Sequence, residues 1–142
     1  MPTPPMTIKG IDHIVLRVRD LCEMMTFYRD VLGCGLEKDQ AAIGLWQLRA
    51  GTSLIDLVTV DGPLGARGGV APGAEGRNLD HFALAVEDFD EQALRAHFRR
   101  CGVAVTQSGE RYGADGVGPS IYIVDPEGNE IELKGPAFEA RA

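Results

Sequence analysis

An alternation of apolar and polar positions marks the first predicted strand, at residues 13–18. Because side chains alternate across a strand, one face of this segment carries His13 and Arg17, and the other face is aliphatic throughout. We expect the aliphatic face to pack against a helix. The face with His13 and Arg17 is left for chemistry.

A helix is predicted directly after this strand. Asp20 is a suitable N-cap residue, and Glu23, three positions later, is its expected capping-box partner. Apolar residues then recur at helical spacing up to Gly33, where the helix is expected to end. Further strands are predicted near residues 36–38, 44–49 and 53–60, so this part of the chain has the order βαβββ.

The chain then repeats its opening pattern. Residues 79–88 align without a gap to residues 11–20, and the two stretches are identical at Asp12/Asp80, His13/His81, Leu16/Leu84, Val18/Val86 and Asp20/Asp88. Such a repeat indicates a duplicated structural unit. The second unit is predicted to contain a strand at 81–86, a helix at 89–100, a strand at 103–106 and a hairpin of 120–124 with 130–134.

Two glycine-rich stretches are predicted to be loops. Residues 61–78 contain six glycines and two prolines, and they would connect the two units. Residues 109–119 form the second stretch and precede the hairpin.

Composition and charge exclude several classes of protein. The chain has 142 residues, of which 44% are hydrophobic and 25% charged, as expected for one globular domain. A net charge of −7 argues against nucleic acid and anionic membrane surfaces as partners, and no apolar run is long enough to span a bilayer. The N-terminus lacks the pattern of a signal peptide. With Cys22, Cys34 and Cys101 interpreted as reduced core thiols, we expect a cytoplasmic protein.

The repeat also brings together residues that could bind a metal. Two of the three histidines, His13 and His81, occupy equivalent positions, and each unit has one carboxylate between aliphatic residues on its last strand, Asp56 and Glu132. A carboxylate in such a setting is costly to bury without a partner, and a cation would supply one. Imidazole and carboxylate ligands suit zinc, nickel, iron or manganese.

Two neighbouring residues could contact a substrate. Arg17 shares the strand face of His13 and could hold an anionic group, although it could equally pair with a surface acid. Tyr122 lies opposite Glu132 if the hairpin turns symmetrically about Glu127, which would place both on one face of the sheet. The alternative for Tyr122 is a packed core aromatic residue.

The motifs together resemble the vicinal oxygen chelate superfamily, which includes glyoxalase I, fosfomycin-resistance, bleomycin-resistance and extradiol-dioxygenase proteins. The resemblance rests on Asp12-His13, on Phe27-Tyr28 with Leu32-Gly33, and on the closing stretch 125–133. It implies an α+β fold in which two tandem βαβββ modules form a cupped mixed sheet. Residues 1–142 would then be a single domain, made of module 8–60, a Gly/Pro-rich linker 61–78 and module 79–135.

The resemblance also implies a function. The positions of His13, His81 and Glu132 bind metal in the superfamily, and the position of Asp56 is a further ligand in the glyoxalase I group. The expectation is a glyoxalase I-like lyase or isomerase, in which Glu132 or Asp56 moves a proton next to a metal-chelated carbonyl of a small substrate. Glutathione is doubtful as cosubstrate, because Val60 replaces an asparagine common in that group. Sites in the superfamily often form in a homodimer.

Three alternatives remain open at this stage. Without Asp56, the set His13, His81 and Glu132 matches the two-histidine, one-carboxylate arrangement of an Fe(II) extradiol-type dioxygenase. A thiol transferase of the fosfomycin-resistance type is disfavoured, because its basic substrate-binding residues are not recognisable. A metal-free, ligand-sequestering protein like those of bleomycin resistance would suit the acidic surface, but such proteins typically replace the histidines.

Overall fold

The structure, a computed structural model, describes residues 2–139 and contains two four-stranded sheets. The first unit consists of β1 (His13–Val18), α1 (Leu21–Thr26) with a π-helical turn (Phe27–Val31), β2 (Leu36–Gln40), a 3₁₀ turn (Ala41–Ile43), β3 (Leu45–Ala50) and β4 (Ser53–Thr59). The second consists of β5 (His81–Ala85), α2 (Glu91–Arg100), β6 (Val105–Gly113), β7 (Gly116–Val124) and β8 (Glu130–Lys134).

The two sheets have the same topology. Their strand orders are β1-β4-β3-β2 and β5-β8-β7-β6, with the first pair of each sheet parallel and the other neighbours antiparallel. Each unit therefore has the order βαβββ, and the predicted α+β fold of tandem modules is confirmed. The first strand of each unit, which carries the histidine, lies at the edge of its sheet.

The apolar core lies on the faces of the sheets that the sequence pattern predicts. On β1, Leu16 and Val18 are buried, whereas His13 and Val15 on the other face are exposed. Both units contribute to one cluster, in which Met24, Phe27 and Tyr28 of the first helical segment join Phe98 of α2 and the isoleucines of β7 and β8. Burial of these apolar side chains is the main stabilising contribution.

Polar contacts join the second unit to the first helix. The Asp20 side chain accepts from the Glu23 backbone N–H, as an N-cap does, but Glu23 does not complete the expected capping box. Glu127 takes that place, because its carboxylate accepts from the backbone N–H groups of Arg19 and Asp20 at 2.8–2.9 Å. A residue 107 positions away thus caps the helix, which a local motif does not predict.

A buried hydrogen bond reinforces this junction. The Tyr28 hydroxyl donates to Asp125 Oδ2 at 2.7 Å. Burial and the neighbouring Asp125 carboxylate raise the pKa of Tyr28 well above its ordinary value of 10.0, so the phenol remains a donor.

Two further predictions about local structure are wrong. Residues 109–119, predicted as a loop, belong to the long antiparallel hairpin of β6 and β7, with Gly113 opposite Gly116. The glycines are accommodated in strands because long side chains lie over them, including Arg111 over Gly109. Of the three cysteines expected in the core, Cys34 alone is buried; Cys22 and Cys101 are exposed, and all three are free thiols.

The helices found in residues 2–139 are short. None of them is long and apolar enough to cross a membrane.

Candidate metal site in two halves

The first half-site, His13 with Asp56, lies where β1 pairs with β4. The parallel register places Val15 beside Asp56, and His13 Nε2 lies 3.9 Å from Asp56 Oδ2. Asp56 is only 3% exposed, and its Oδ2 accepts from Gln47 Nε2 on β3 at 3.1 Å. The other oxygen, Oδ1, is buried and has no hydrogen-bond partner among residues 2–139. One buried acceptor is therefore left for a ligand.

The second half-site, His81 with Glu132, lies at the equivalent place between β5 and β8. His81 Nε2 is 3.2 Å from Glu132 Oε1. Both carboxylate oxygens also accept hydroxyl donors from β7: Tyr122 donates to Oε1 at 2.8 Å and Ser120 donates to Oε2 at 2.6 Å. Tyr122 pairs with Glu132 in the β7–β8 register, which confirms the pairing predicted from the hairpin turn. Ser120 was not predicted.

Two aspartates that sequence reasoning passed over orient the histidines. Asp12 accepts from His13 Nδ1 at 2.7 Å, and Asp80 makes the same 2.7 Å contact with Nδ1 of His81. A hydrogen on Nδ1 leaves the lone pair of a neutral imidazole on Nε2, and this carboxylate–histidine arrangement commonly supports metal ligands. The signal was present in the sequence, because Asp12 and Asp80 are identical positions of the repeat.

Hydrogen bonding sets the protonation of these groups. The hydrogen bond that His81 donates to Asp80 is the largest contribution raising the pKa of His81 above its ordinary 6.5, and the bond to Asp12 has the same effect on the pKa of His13. Burial by itself raises the pKa of Glu132. The hydrogen bonds from Ser120 and Tyr122 and the charge of His81 outweigh burial, so the pKa of Glu132 is lowered from 4.5. Glu132 is therefore an anion at neutral pH.

These residues fit a divalent transition metal in their chemistry. The donor set consists of two imidazole nitrogens and two carboxylates, and Asp56 Oδ1 needs a partner that the described residues do not supply. One copy of the chain does not gather the set, however. Within residues 2–139, no three His, Cys, Asp or Glu side chains lie close enough together to hold a metal ion.

In the structure, the side chain of Arg17 contacts the glycine-rich segment 61–78. Its guanidinium donates to three backbone carbonyls, those of Gly65 at 2.8 Å, Gly69 at 2.7 Å and Val70 at 3.1 Å. These bonds hold the segment against β1. The role of Arg17 in binding an anionic substrate stays a prediction, and in this conformation its donors are already in use.

A second arginine lies beside the second half-site. The Arg111 guanidinium carbon is 5.5 Å from the centre of the Tyr122 ring, a cation–π geometry, and Nη2 donates to Gln107 Oε1 at 3.3 Å. The Tyr122 ring also makes an edge contact with the His81 ring, at 5.7 Å between centroids. Tyr122 is thus held on three sides, by Glu132, His81 and Arg111.

Fold and site define the class as a tandem βαβββ protein with a histidine and a carboxylate in each module. The chain belongs to the Glyoxalase/Bleomycin resistance protein/Dioxygenase superfamily, whose family pattern it matches over residues 10–133. The predicted resemblance is confirmed.

Known proteins similar to this chain cover nearly its whole length. A glutathione transferase, FosA of Serratia marcescens, is 27% identical over 134 residues, which are 94% of this chain and 86% of that protein. A virulence protein of Salmonella typhimurium has 28% identity and a TM-score of 0.71, covering 92% of this chain and 98% of that one. The fosfomycin-resistance protein FosX of Listeria monocytogenes shares the fold, with 19% identity, a TM-score of 0.69 and coverage of 96% and 100%.

Proposed function

We propose that this protein is a divalent-metal enzyme that acts on a small substrate through neighbouring oxygen atoms, and that two copies of the chain build each centre. The observation that carries the proposal is the pair of half-sites. Each contains a histidine whose Nδ1 is held by an aspartate and whose Nε2 faces a buried carboxylate. An imidazole oriented in this way is better suited to binding a metal through Nε2 than to stabilising the fold.

The sheet topology supports a centre shared between copies. β1 and β5 lie at sheet edges, and each begins with its histidine. If β1 of one copy lies beside β5 of another, His13 and His81 come together, with Asp56 and Glu132 behind them. Large apolar residues around these histidines, Ile8, Ile11, Val15 and Leu79, are 81%, 78%, 50% and 43% exposed in the single chain. A second copy would cover them, as expected for a homodimer.

The ligands in this proposal are His13, Asp56, His81 and Glu132, and a bound metal would act as a Lewis acid that stabilises negative charge on a chelated substrate oxygen. Asp12 and Asp80 hold the two imidazoles in orientation. Ser120 and Tyr122 keep Glu132 ionised and fixed in place. The Tyr122 hydroxyl lies on the same face and is the substrate-contacting group we propose there.

For the reaction, we infer the addition of a nucleophile, a thiol or water, to an electrophilic carbon bonded to the chelated oxygen. The carbon–oxygen bond would break as the new bond forms, and the oxygen would take its electron pair and then the proton that the nucleophile loses. Glu132 has a lowered pKa and accepts two hydroxyl hydrogen bonds, so it is a weak base for removing a proton from carbon. We therefore propose transfer of the fosfomycin-resistance type ahead of the isomerisation that the sequence favoured. The 27% identical glutathione transferase supports the same order.

Isomerisation of the glyoxalase type remains the second candidate because of Asp56. Its Oδ1 is buried and accepts no hydrogen bond, so it is more available to take a proton than either oxygen of Glu132. In this form of the proposal, Asp56 is the catalytic base and Glu132 is a ligand only.

Metal analysis followed by substrate assays tests the proposal. We expect about one transition metal per centre in protein purified without chelator. The metal-loaded protein is then assayed with fosfomycin plus glutathione, fosfomycin alone, and methylglyoxal plus glutathione. Turnover of fosfomycin supports nucleophile addition, and turnover of methylglyoxal supports isomerisation through Asp56. Iron with oxygen uptake on a catechol would replace both with a dioxygenase. Failure to take up any metal would leave a ligand-sequestering protein.

A further inference from the structure

A buried ammonium group lies near the second half-site. Within residues 2–139, two buried side-chain polar atoms have no hydrogen-bond partner, Asp56 Oδ1 and Lys134 Nζ. The proposed metal accounts for Asp56. Nothing in the proposed function so far accounts for Lys134.

Lys134 lies on the sheet face that carries Glu132. The two residues are separated by one position on β8, so their side chains point to the same side of the sheet. On the neighbouring strand, Lys134 pairs with Ser120, the residue whose hydroxyl donates to Glu132. The lysine is therefore one step along the strand from the carboxylate of the half-site.

Two glycines of the β6–β7 hairpin make room for the lysine. A Cβ atom on Gly113 would collide with Lys134 Cε, and a Cβ atom on Gly118 would lie 3.0 Å from Lys134 Nζ. Gly118 is also required by the backbone, since its Cβ would approach the carbonyl oxygens of Gly135 and Pro136. The side chain thus lies in a space that these glycines leave open, and Nζ is withdrawn from solvent.

An ammonium group in this position needs an anionic partner. Removing a cation from water is costly unless it is paired and hydrogen-bonded. The carboxylate of Glu132 on the same face already accepts from Ser120 and Tyr122 and contacts His81. A bound anion would supply the missing acceptors. Because the protein carries a net charge of −7, a local cation of this kind would favour an acidic ligand at this place.

We propose that Lys134 binds an acidic group of the substrate, a carboxylate, phosphonate or phosphate, beside the metal centre. The identity of this anion as part of the substrate rests on the proposed function, whereas the binding of an oxyanion does not. The substrate class is then a small molecule with one chelating oxygen pair and a separate acidic group. Lys134 would select for that group by a charge-assisted hydrogen bond.

The test is oxyanion binding by metal-loaded and metal-free protein, with inorganic phosphate, methylphosphonate and acetate as probes. We expect Lys134→Met to weaken binding of the preferred probe by about tenfold or more, as loss of one hydrogen bond to a charged group does. Lys134→Arg should retain most of the affinity, and Lys38→Met, which removes an exposed lysine on β2, should retain all of it. Metal content should be the same in all four proteins.

A measurement on the unmutated protein guards against misfolding of the variant. In ¹⁵N-lysine spectra, the Lys134 side-chain signal, assigned through Lys134→Arg, should shift on addition of the preferred probe. The proposal would be overturned if Lys134→Met bound oxyanions with unchanged affinity. It would also be overturned if the Lys134 side-chain signal did not shift on addition of any probe. A Lys134→Met variant that weakens association between copies and leaves anion binding intact would overturn it as well, since the partner of Lys134 would then be a second copy. Absence of metal in every protein would defeat the proposed function, while the metal-free titrations would still decide on Lys134.

Discussion

The two half-sites have the same backbone plan but differ in how completely their carboxylates are held. Glu132 accepts hydroxyl donors on both oxygens and lies 3.2 Å from His81 Nε2. Asp56 accepts one amide donor and lies 3.9 Å from His13 Nε2, and its Oδ1 has no partner in the described part of the chain. Aspartate is one carbon shorter than glutamate, which accounts for the longer distance between the Asp56 carboxylate and the imidazole of His13.

This difference indicates that the two half-sites of the duplicated fold have different roles. In the second half-site, the protein's own donors already fix both oxygens of Glu132, so this half-site is suited to hold a metal with little reorganisation. The first half-site keeps a free acceptor, which is suited either to complete the coordination or to take a proton. The predictions below test this difference in roles, beginning with the largest effect.

Substitution of Glu132 should have the largest consequence. Glu132→Gln removes the proposed anionic ligand and disturbs the donors Ser120 and Tyr122. We therefore expect metal affinity to fall by more than about a hundredfold, a larger loss than supporting residues cause. Asp56→Asn should reduce affinity less if the second half-site dominates. Competition titration against a chelator measures both. The control is Glu130→Gln, on the same strand face, which should bind metal normally; equal losses in the Asp56 and Glu132 variants would contradict the comparison.

Mixing two inactive variants should restore part of the activity. His13→Ala and His81→Ala are each expected to lack intact centres if every centre takes one half-site from each copy. Random reassociation makes half of the dimers mixed, and each mixed dimer has one intact centre of two, so about a quarter of the normal metal content and activity should return. The measurement follows co-refolding of equal amounts. No recovery, with mixed dimers shown to form, would place each centre within one chain.

The aspartates behind the histidines should have intermediate effects. Asp12→Asn and Asp80→Asn should each weaken metal binding by about tenfold, the usual consequence of losing the group that orients a ligating histidine. Calorimetric titration of metal into the apo-protein measures the change. Asp88→Asn, which alters a repeat aspartate outside the histidine pairs, is the control.

Metal uptake should depend on pH through the histidines. The pKa of His81 is raised above 6.5, chiefly by its hydrogen bond to Asp80, so a proton competes with the metal at Nε2 up to a higher pH than for a free histidine. Metal affinity should therefore increase with pH and level off once the pH exceeds the raised pKa of His81, and Asp80→Asn should move the pH at which it levels off lower. In the apo-protein the protonated histidine favours the folded state at low pH, and this contribution is lost as pH rises through the raised pKa. An unchanged levelling-off pH in Asp80→Asn would be inconsistent with this assignment.

Stability of the apo-protein should show the smallest difference between the half-sites. Tyr122→Phe leaves Glu132 with Ser120 and His81, so a loss of about 1 kcal/mol is expected, the net contribution of one hydrogen bond. Gln47→Met removes the hydrogen-bond donor of buried Asp56, so a loss of about 1–3 kcal/mol is expected from the unsatisfied carboxylate. Urea unfolding of both variants without metal gives the comparison. The reverse order would show that the second carboxylate depends more on its neighbours than the first.

The repeat and the strand patterns made much of the fold predictable. Alternation over residues 13–18 gave the buried and exposed faces of β1 correctly, and the turn at 125–129 gave the pairing of Tyr122 with Glu132. The hairpin of β6 and β7 was missed, because glycine in a sequence indicates loops unless neighbouring side chains are known to fill the space above it. The cap supplied by Glu127 was missed because it comes from the other unit.

For the proposed site, the sequence supplied the candidate residues, and the tertiary structure decided their relations. Duplication placed His13 with His81 and Asp56 with Glu132, since equivalent positions of a repeat carry equivalent side chains. Hydrogen-bond partners depend on distances between strands that are remote in the chain. The structure alone therefore showed that Ser120 and Tyr122 satisfy Glu132, that Asp56 keeps a free oxygen, and that Arg17 is occupied by backbone carbonyls. It also showed that the two half-sites do not come together within residues 2–139 of one chain, where each histidine lies on its own sheet.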